Sequence, residues 1–98
     1  MTFAASFNTL AEAELSDALD DYEQASPGRG AAFLATVERA VTDLVAYPES
    51  APVLSGPYRK KVLSRFPYTL IYRIKGNEIR ILAVAHQKRR PYYWLGRA

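Results

Sequence analysis

The chain contains no cysteine, which removes disulfides and thiolate metal sites and fits a reducing cytoplasm. Histidine occurs once, at His86, so no cluster of imidazole ligands can form around it. No apolar run approaches the ~18 residues needed to cross a bilayer, and residues 1–10 lack the positive cluster of an export signal. The expectation is a soluble, cytoplasmic chain with no membrane partner. Gly-rich phosphate-cradling motifs are missing. Residues 51–98 hold one carboxylate, Glu78, which leaves that half without the acids that metal-dependent nucleases use. Neither a metal nor a cofactor is expected.

What is present is charge, divided unevenly. Residues 1–50 carry nine acids and two bases, and residues 51–98 carry eleven bases and one acid, so the halves stand at −7 and +10. Fields act locally, over a Debye length of ~8–10 Å, so this division says more than the net charge. The basic half is also aromatic: Tyr58, Phe66, Tyr68, Tyr72, Tyr92, Tyr93 and Trp94 lie among its arginines and lysines. Cations neutralise phosphates and flat rings stack on unpaired bases, which makes nucleic acid the first partner to consider. An acidic protein surface is the other.

The length, 98 residues, suits a single domain, 1–98. Phe3, Ala5 and Phe7 alternate as in a short strand. Thr9 and Glu12 have the spacing of a capping box, and Ala11, Leu15, Ala18, Leu19 and Tyr22 continue an amphipathic helix to about Ala25 with an acidic outer face. Ser26-Pro27 ends it and starts a second helix, whose apolar stripe (Phe33, Val37, Ala40, Val41, Leu44, Val45) runs to Tyr47-Pro48. A proline-marked loop follows. From Tyr58 the period becomes two, predicting strands over 58–65, 68–75 and 78–86, with Gly76-Asn77 as a two-residue hairpin turn. The fold class is α+β: a short N-terminal strand and two antiparallel helices packed on one face of an antiparallel sheet.

The turn sets a register. Ile74, Tyr72, Leu70 and Tyr68 face Ile79, Ile81, Ala83 and Ala85 on the core side. On the other side Lys75 faces Glu78, Arg73 faces Arg80, Ile71 faces Leu82 and Thr69 faces Val84. Two arginines across a ladder repel, and an anion would relieve them. Ile71, Leu82 and Val84 need cover, either from Tyr92-Tyr93-Trp94 folding back or from another chain. Arg59, Lys61 and Arg65 share one face of their strand and Lys60 the other. Together with Arg73, Arg80 and Arg89 they form the candidate nucleic-acid contacts.

His86 ends the last strand and precedes Lys88-Arg89-Arg90. Beside cations an imidazole loses proton affinity and becomes available as a neutral base. RNA cleavage through the 2′-hydroxyl needs a base, an acid and cations on the phosphorane. His86, Tyr92 or Tyr93, and Lys88 to Arg90 supply these residue types.

Several segments carry a resemblance: the helix ending in Tyr22-Glu23, the start Pro27-Gly28-Arg29-Gly30-Ala31-Ala32-Phe33, the run Arg65-Phe66-Pro67-Tyr68-Thr69-Leu70-Ile71-Tyr72-Arg73, and Ile81 to His86 followed by Arg89-Arg90-Pro91-Tyr92-Tyr93-Trp94. Over nearly the whole chain the sequence resembles the RelE/ParE superfamily of toxins from bacterial type II toxin–antitoxin (plasmid stabilisation) modules. The resemblance implies a growth-arresting toxin neutralised by a cognate antitoxin. One implied activity is ribosome-associated messenger RNA cleavage without a metal, with Lys60 or Lys61, Lys88 or Arg90, and Tyr93 or Trp94 in the family's roles. His86 then matches members that use a histidine, while Thr69 stands where cleavers carry an arginine. The alternative implied activity is ParE-type inhibition of DNA gyrase by binding. A third reading is a non-toxic RNA-binding or adaptor module. The expected antitoxin segment is acidic, with aliphatic anchors over Ile71, Leu82 and Val84 and carboxylates on Arg73 and Arg80.

Overall fold

The computed structural model describes residues 2–98. Strand β1 (Ala4–Phe7) leads directly into helix α1 (Thr9–Ala25), and the cap between them is Asn8, whose Oδ1 accepts from the Leu10 and Ala11 N–H groups at 2.7 and 3.4 Å. The cap expected at Thr9 therefore sits one residue earlier, where an amide oxygen reaches the free N–H groups of the first turn. Ser26 ends α1 in an extended conformation. Helix α2 (Arg29–Ala46) begins after Gly28, which takes a left-handed φ of 88° and has no side chain to cap with. Glu23 of α1 replaces it, accepting from Gly28 N at 3.0 Å and Gly30 N at 3.0 Å. A carboxylate at a helix N-terminus also meets the positive end of the dipole. Gly30 lets the helices touch, since a Cβ there would stand 2.8 Å from the Leu19 carbonyl oxygen.

Five strands form one sheet in the order β1-β5-β4-β3-β2, with β2 at Val53–Ser55, β3 at Tyr58–Val62, β4 at Tyr68–Lys75 and β5 at Glu78–His86. The β3-β4-β5 portion is antiparallel as expected, whereas β1 runs parallel to β5, so the sheet is mixed. Strand β2 arises inside the proline-marked loop. Strand β3 stops three residues early, because Leu63 turns into the core and Arg65 adopts a left-handed φ of 71°. Both helices cover one face of the sheet. Phe33, Val37, Leu44, Leu70, Tyr72, Ile79 and Ile81 are fully enclosed between the layers, and Tyr22, Phe33, Phe66 and Tyr68 form a ring cluster at one end.

Near the hairpin turn the register is as the turn dictates: Lys75 with Glu78, Ile74 with Ile79, Arg73 with Arg80, Tyr72 with Ile81. Past that point β5 carries one extra residue, a bulge that pairs Ile71 with Ala83, Leu70 with Val84 and Tyr68 with His86. The slip exchanges faces, because side chains alternate with a period of two. Val84 consequently joins the helix-side core, and Ala83 and Ala85 turn to the outer face. Leu82, fully buried, is the residue without a partner across the ladder. The reading of Ile71, Leu82 and Val84 as one outward apolar patch is thus corrected. No helix is long and apolar enough to cross a membrane among the described residues.

Candidate functional site

The outer face of the sheet is covered by the chain itself. Residues 87–98 fold back, and Trp94, 3% exposed, packs on Ile71, Ala83 and Ala85. Its ring meets Tyr58 edge-on at 4.8 Å, a geometry that aromatic pairs favour. Of the two covers considered for this face, the internal one is present, so Ile71 offers almost no surface to an antitoxin while the segment is seated.

Between this segment and the sheet lies a cleft of about 260 Å³. Its floor is Leu54, Lys60, Thr69, Ile71 and Ala85, and its wall is Arg89, Arg90, Pro91, Tyr92, Tyr93 and Trp94, with His86 and Gln87 at the rim. Three cations and three aromatic rings line it and no carboxylate does. Arg89 is held over the Tyr93 ring, 3.9 Å from its centroid, a cation–π contact that orients the guanidinium. A larger cavity of about 510 Å³ lies at the opposite end of the strands, lined by Phe3, Ala46, Tyr47, Pro48, Glu49, Ser50 and Ile74. It contains no cation, so the smaller, charged cleft is the better candidate for the polyanion that the sequence implies.

The remaining candidate residues disperse. Arg59 lies on the helix side and donates to the Ala51 and Glu49 carbonyl oxygens at 2.8 and 3.2 Å, stapling the loop before β2. Lys61 is on the same side, in a small cleft with Arg39 and Asp43. Arg65 is exposed in the β3–β4 turn. Arg80 faces Arg73 as expected, yet it is already engaged by Ser6 Oγ at 3.0 Å, the Phe7 carbonyl at 3.1 Å and the Ala98 carbonyl at 3.3 Å. Arg73 keeps a buried Nε without a hydrogen-bond partner, the one such side-chain atom among the described residues.

The groups expected to do acid–base chemistry are differently placed. His86 pairs with Tyr68 and stacks edge-on against its ring at 5.0 Å. It also lines a second cleft with Glu14, Asp17, Asp21 and Arg89. Its surroundings are therefore acidic as well as basic, because the bulge turns this end of β5 toward α1. Its Nδ1 accepts from the Lys88 N–H at 3.0 Å, which in the neutral ring leaves the proton on Nε2 and no free lone pair. The Lys88 side chain is not among the groups lining the cleft. Tyr93 donates its hydroxyl to Glu14 Oε2 at 2.7 Å. Burial first, then that bond and the Glu14 charge, push its phenol well above the ordinary range, against the opposing pull of Arg89 and Arg97. Among the described residues no group of three or more His, Asp or Glu side chains is arranged to hold a metal.

Sequence reasoning passed over Glu14 and Arg97. Glu14 carries the one salt bridge among the described residues, to Arg97 at 2.9 Å, with the two side chains 17% and 13% exposed. The available signal was its spacing: Glu14 lies three residues after Ala11 and four before Ala18, on the apolar side of the helix.

A mixed sheet with a tight helical hairpin on one face and a folded-back C-terminal segment on the other defines a fold of RelE/ParE type. Residues 5–91 match the family described as ParE toxin of type II toxin-antitoxin system, parDE. The chain belongs to this family and is a type II toxin–antitoxin toxin, with a cognate antitoxin as its partner. A solved structure, the chromosomal ParDE TA system from P. aeruginosa, superposes with a TM-score of 0.76 at 22% identity over 87% of this chain and 96% of that one. At that identity the likeness is one of fold. No curated relative matches.

Proposed function

We propose that this toxin arrests growth by binding DNA gyrase in the cytoplasm and not by cutting messenger RNA. The observation carrying this reading is that the expected base and one of the two expected acids are committed elsewhere, His86 Nδ1 to the Lys88 N–H and the Tyr93 hydroxyl to Glu14, which leaves Tyr92 as an acid without its base. What remains in the cleft is Lys60, Arg89 and Arg90 with Tyr92, Tyr93 and Trp94, a set suited to holding an anionic macromolecule and poor at moving protons. Membership of the ParE family supports the same target, as does the Thr69 departure from the cleaving pattern. The antitoxin neutralises this surface when it binds.

Pulse expression without the antitoxin tests the reading through two readouts. Gyrase-linked DNA breaks with intact transcript ends are expected. New transcript ends without breaks would establish the nuclease instead, and growth without either would establish the non-toxic adaptor.

A further inference from the structure

We infer that Glu14, on α1 and outside the cleft, is the positioning residue that sets where the cleft's outer wall stands. This rests on the cleft being the surface that the toxin uses. Strand β1 ends at Phe7, opposite Ile81. Immediately beyond, the Leu82 carbonyl and the Val84 N–H are met by side chains instead of a strand. Arg97 donates to Leu82 O at 3.0 Å, and Glu14 Oε1 accepts from Val84 N at 3.1 Å. The bulge at Leu82 creates this need, since it shifts the backbone groups that a regular strand would have presented.

Glu14 also gathers the C-terminal segment. Its two oxygens accept from Arg97 at 2.9 and 3.2 Å and from the Tyr93 hydroxyl at 2.7 Å. One carboxylate thus joins α1, the free edge of β5 and the returning segment. Such charge-assisted, partly buried bonds are stronger and more directional than exposed ones. The effect reaches the cleft through Tyr93, on whose ring Arg89 lies. Remove Glu14 and Tyr93 loses its anchor, Arg97 loses its counter-ion, and Arg89 loses its platform. Trp94 on the sheet, Arg97 on the Leu82 carbonyl and the bonds from Arg80 and Asn8 to Ala98 O then remain to hold the segment.

The test compares the purified wild-type toxin with Glu14→Ala, Glu14→Gln and Tyr93→Phe. Two readouts need no target: Trp94 fluorescence, and the rate of tryptic cleavage at the exposed Lys88 and Arg89. Glu14→Ala should shift Trp94 emission to the red and speed cleavage about 10-fold while far-UV circular dichroism is retained, because local opening is eased without global unfolding. Glu14→Gln should fall between, since an amide still accepts one bond but offers Arg97 no charge. A third readout is gyrase inhibition in a double-mutant cycle. Arg89→Ala should cost about 10-fold in the wild type and less than about 2-fold in the Glu14→Ala background. Unchanged emission and cleavage, or additive losses, would overturn the inference. If Glu14→Ala fails to fold, Tyr93→Phe decides by the same two optical and proteolytic readouts. Release of the segment, together with a wild-type toxin that leaves gyrase untouched, would sink the proposed target and leave the role of Glu14 standing.

Discussion

Truncating Trp94 to alanine probes how firmly the C-terminal segment covers the sheet. The ring is 3% exposed and rests on Ile71, Ala83, Ala85 and Tyr58. A buried tryptophan removes roughly 200 Å² from water, most of it lost on truncation, and at ~25 cal/mol per Å² the loss is about 4 kcal/mol. Detachment of residues 87–98 as a unit limits the measurable cost, because the rest of the domain stays folded once the segment has let go. The expected loss is therefore about 3 kcal/mol, within the 3–5 kcal/mol typical of such truncations and a large part of a small domain's ~5–15 kcal/mol stability. Guanidinium denaturation followed by far-UV circular dichroism measures it. The helices should survive in dilute buffer, and Ile71 should become available to hydrophobic dyes. A loss below about 1 kcal/mol, with no dye binding, would refute the burial argument, since a seated tryptophan cannot be removed so cheaply.

Other consequences are as direct. Gly30→Ala places a Cβ 2.8 Å from the Leu19 carbonyl oxygen and 3.0 Å from Glu23; backbone cannot yield there, so a loss of about 1–3 kcal/mol is expected in thermal melts, and a neutral effect would mean the helices do not approach this closely. Tyr68, Tyr72 and Tyr93 all have raised phenol pKa values, burial being the first cause in each. A raised folded-state pKa means that the unfolded chain gives up these protons first, so the contribution of these three phenols to stability should be level below pH ~10 and fall as pH rises beyond it. Tyr93→Phe should lower stability at neutral pH yet flatten the alkaline decline. Denaturant midpoints across that range check both, and an unaltered slope in Tyr93→Phe would contradict the burial of its hydroxyl.

Local chemistry made much of this fold legible. Gly76-Asn77 between two β-rich runs fixed the hairpin and the Arg73–Arg80 pair, and the stripe from Phe33 to Leu44 marked the buried side of α2. The bulge was not legible, because Ile81-Leu82-Ala83-Val84-Ala85 is apolar at every position and a one-residue slip leaves no trace in the alternation. The parallel pairing of Ala4–Phe7 with Glu78–Ile81 joins the two ends of the chain, a distance over which periodicity says nothing. Asn8 was overlooked because Thr9-Leu10-Ala11-Glu12 offers a plausible cap one residue later. At the site, the aromatic and cationic residues after His86 were readable as a cluster, and the structure brings Arg89, Arg90, Tyr92, Tyr93 and Trp94 onto one wall. For Arg59 and Arg80, sequence counts the cations but does not see that a carbonyl oxygen already holds part of each guanidinium. Glu14 was hidden among the acids of α1, whose other members are exposed.

The central claim is that the cleft binds and does not catalyse. Inhibition of purified gyrase by purified toxin, measured as plasmid supercoiling, tests it most directly when His86→Gln is set beside Arg89→Glu/Arg90→Glu. The account predicts that His86→Gln inhibits as the wild type does, and that the charge reversal weakens inhibition at least ~10-fold, consistent with close charge pairs at an interface. Loss of toxicity in His86→Gln with an intact fold, or a charge reversal that inhibits supercoiling as strongly as the wild type does, would contradict it.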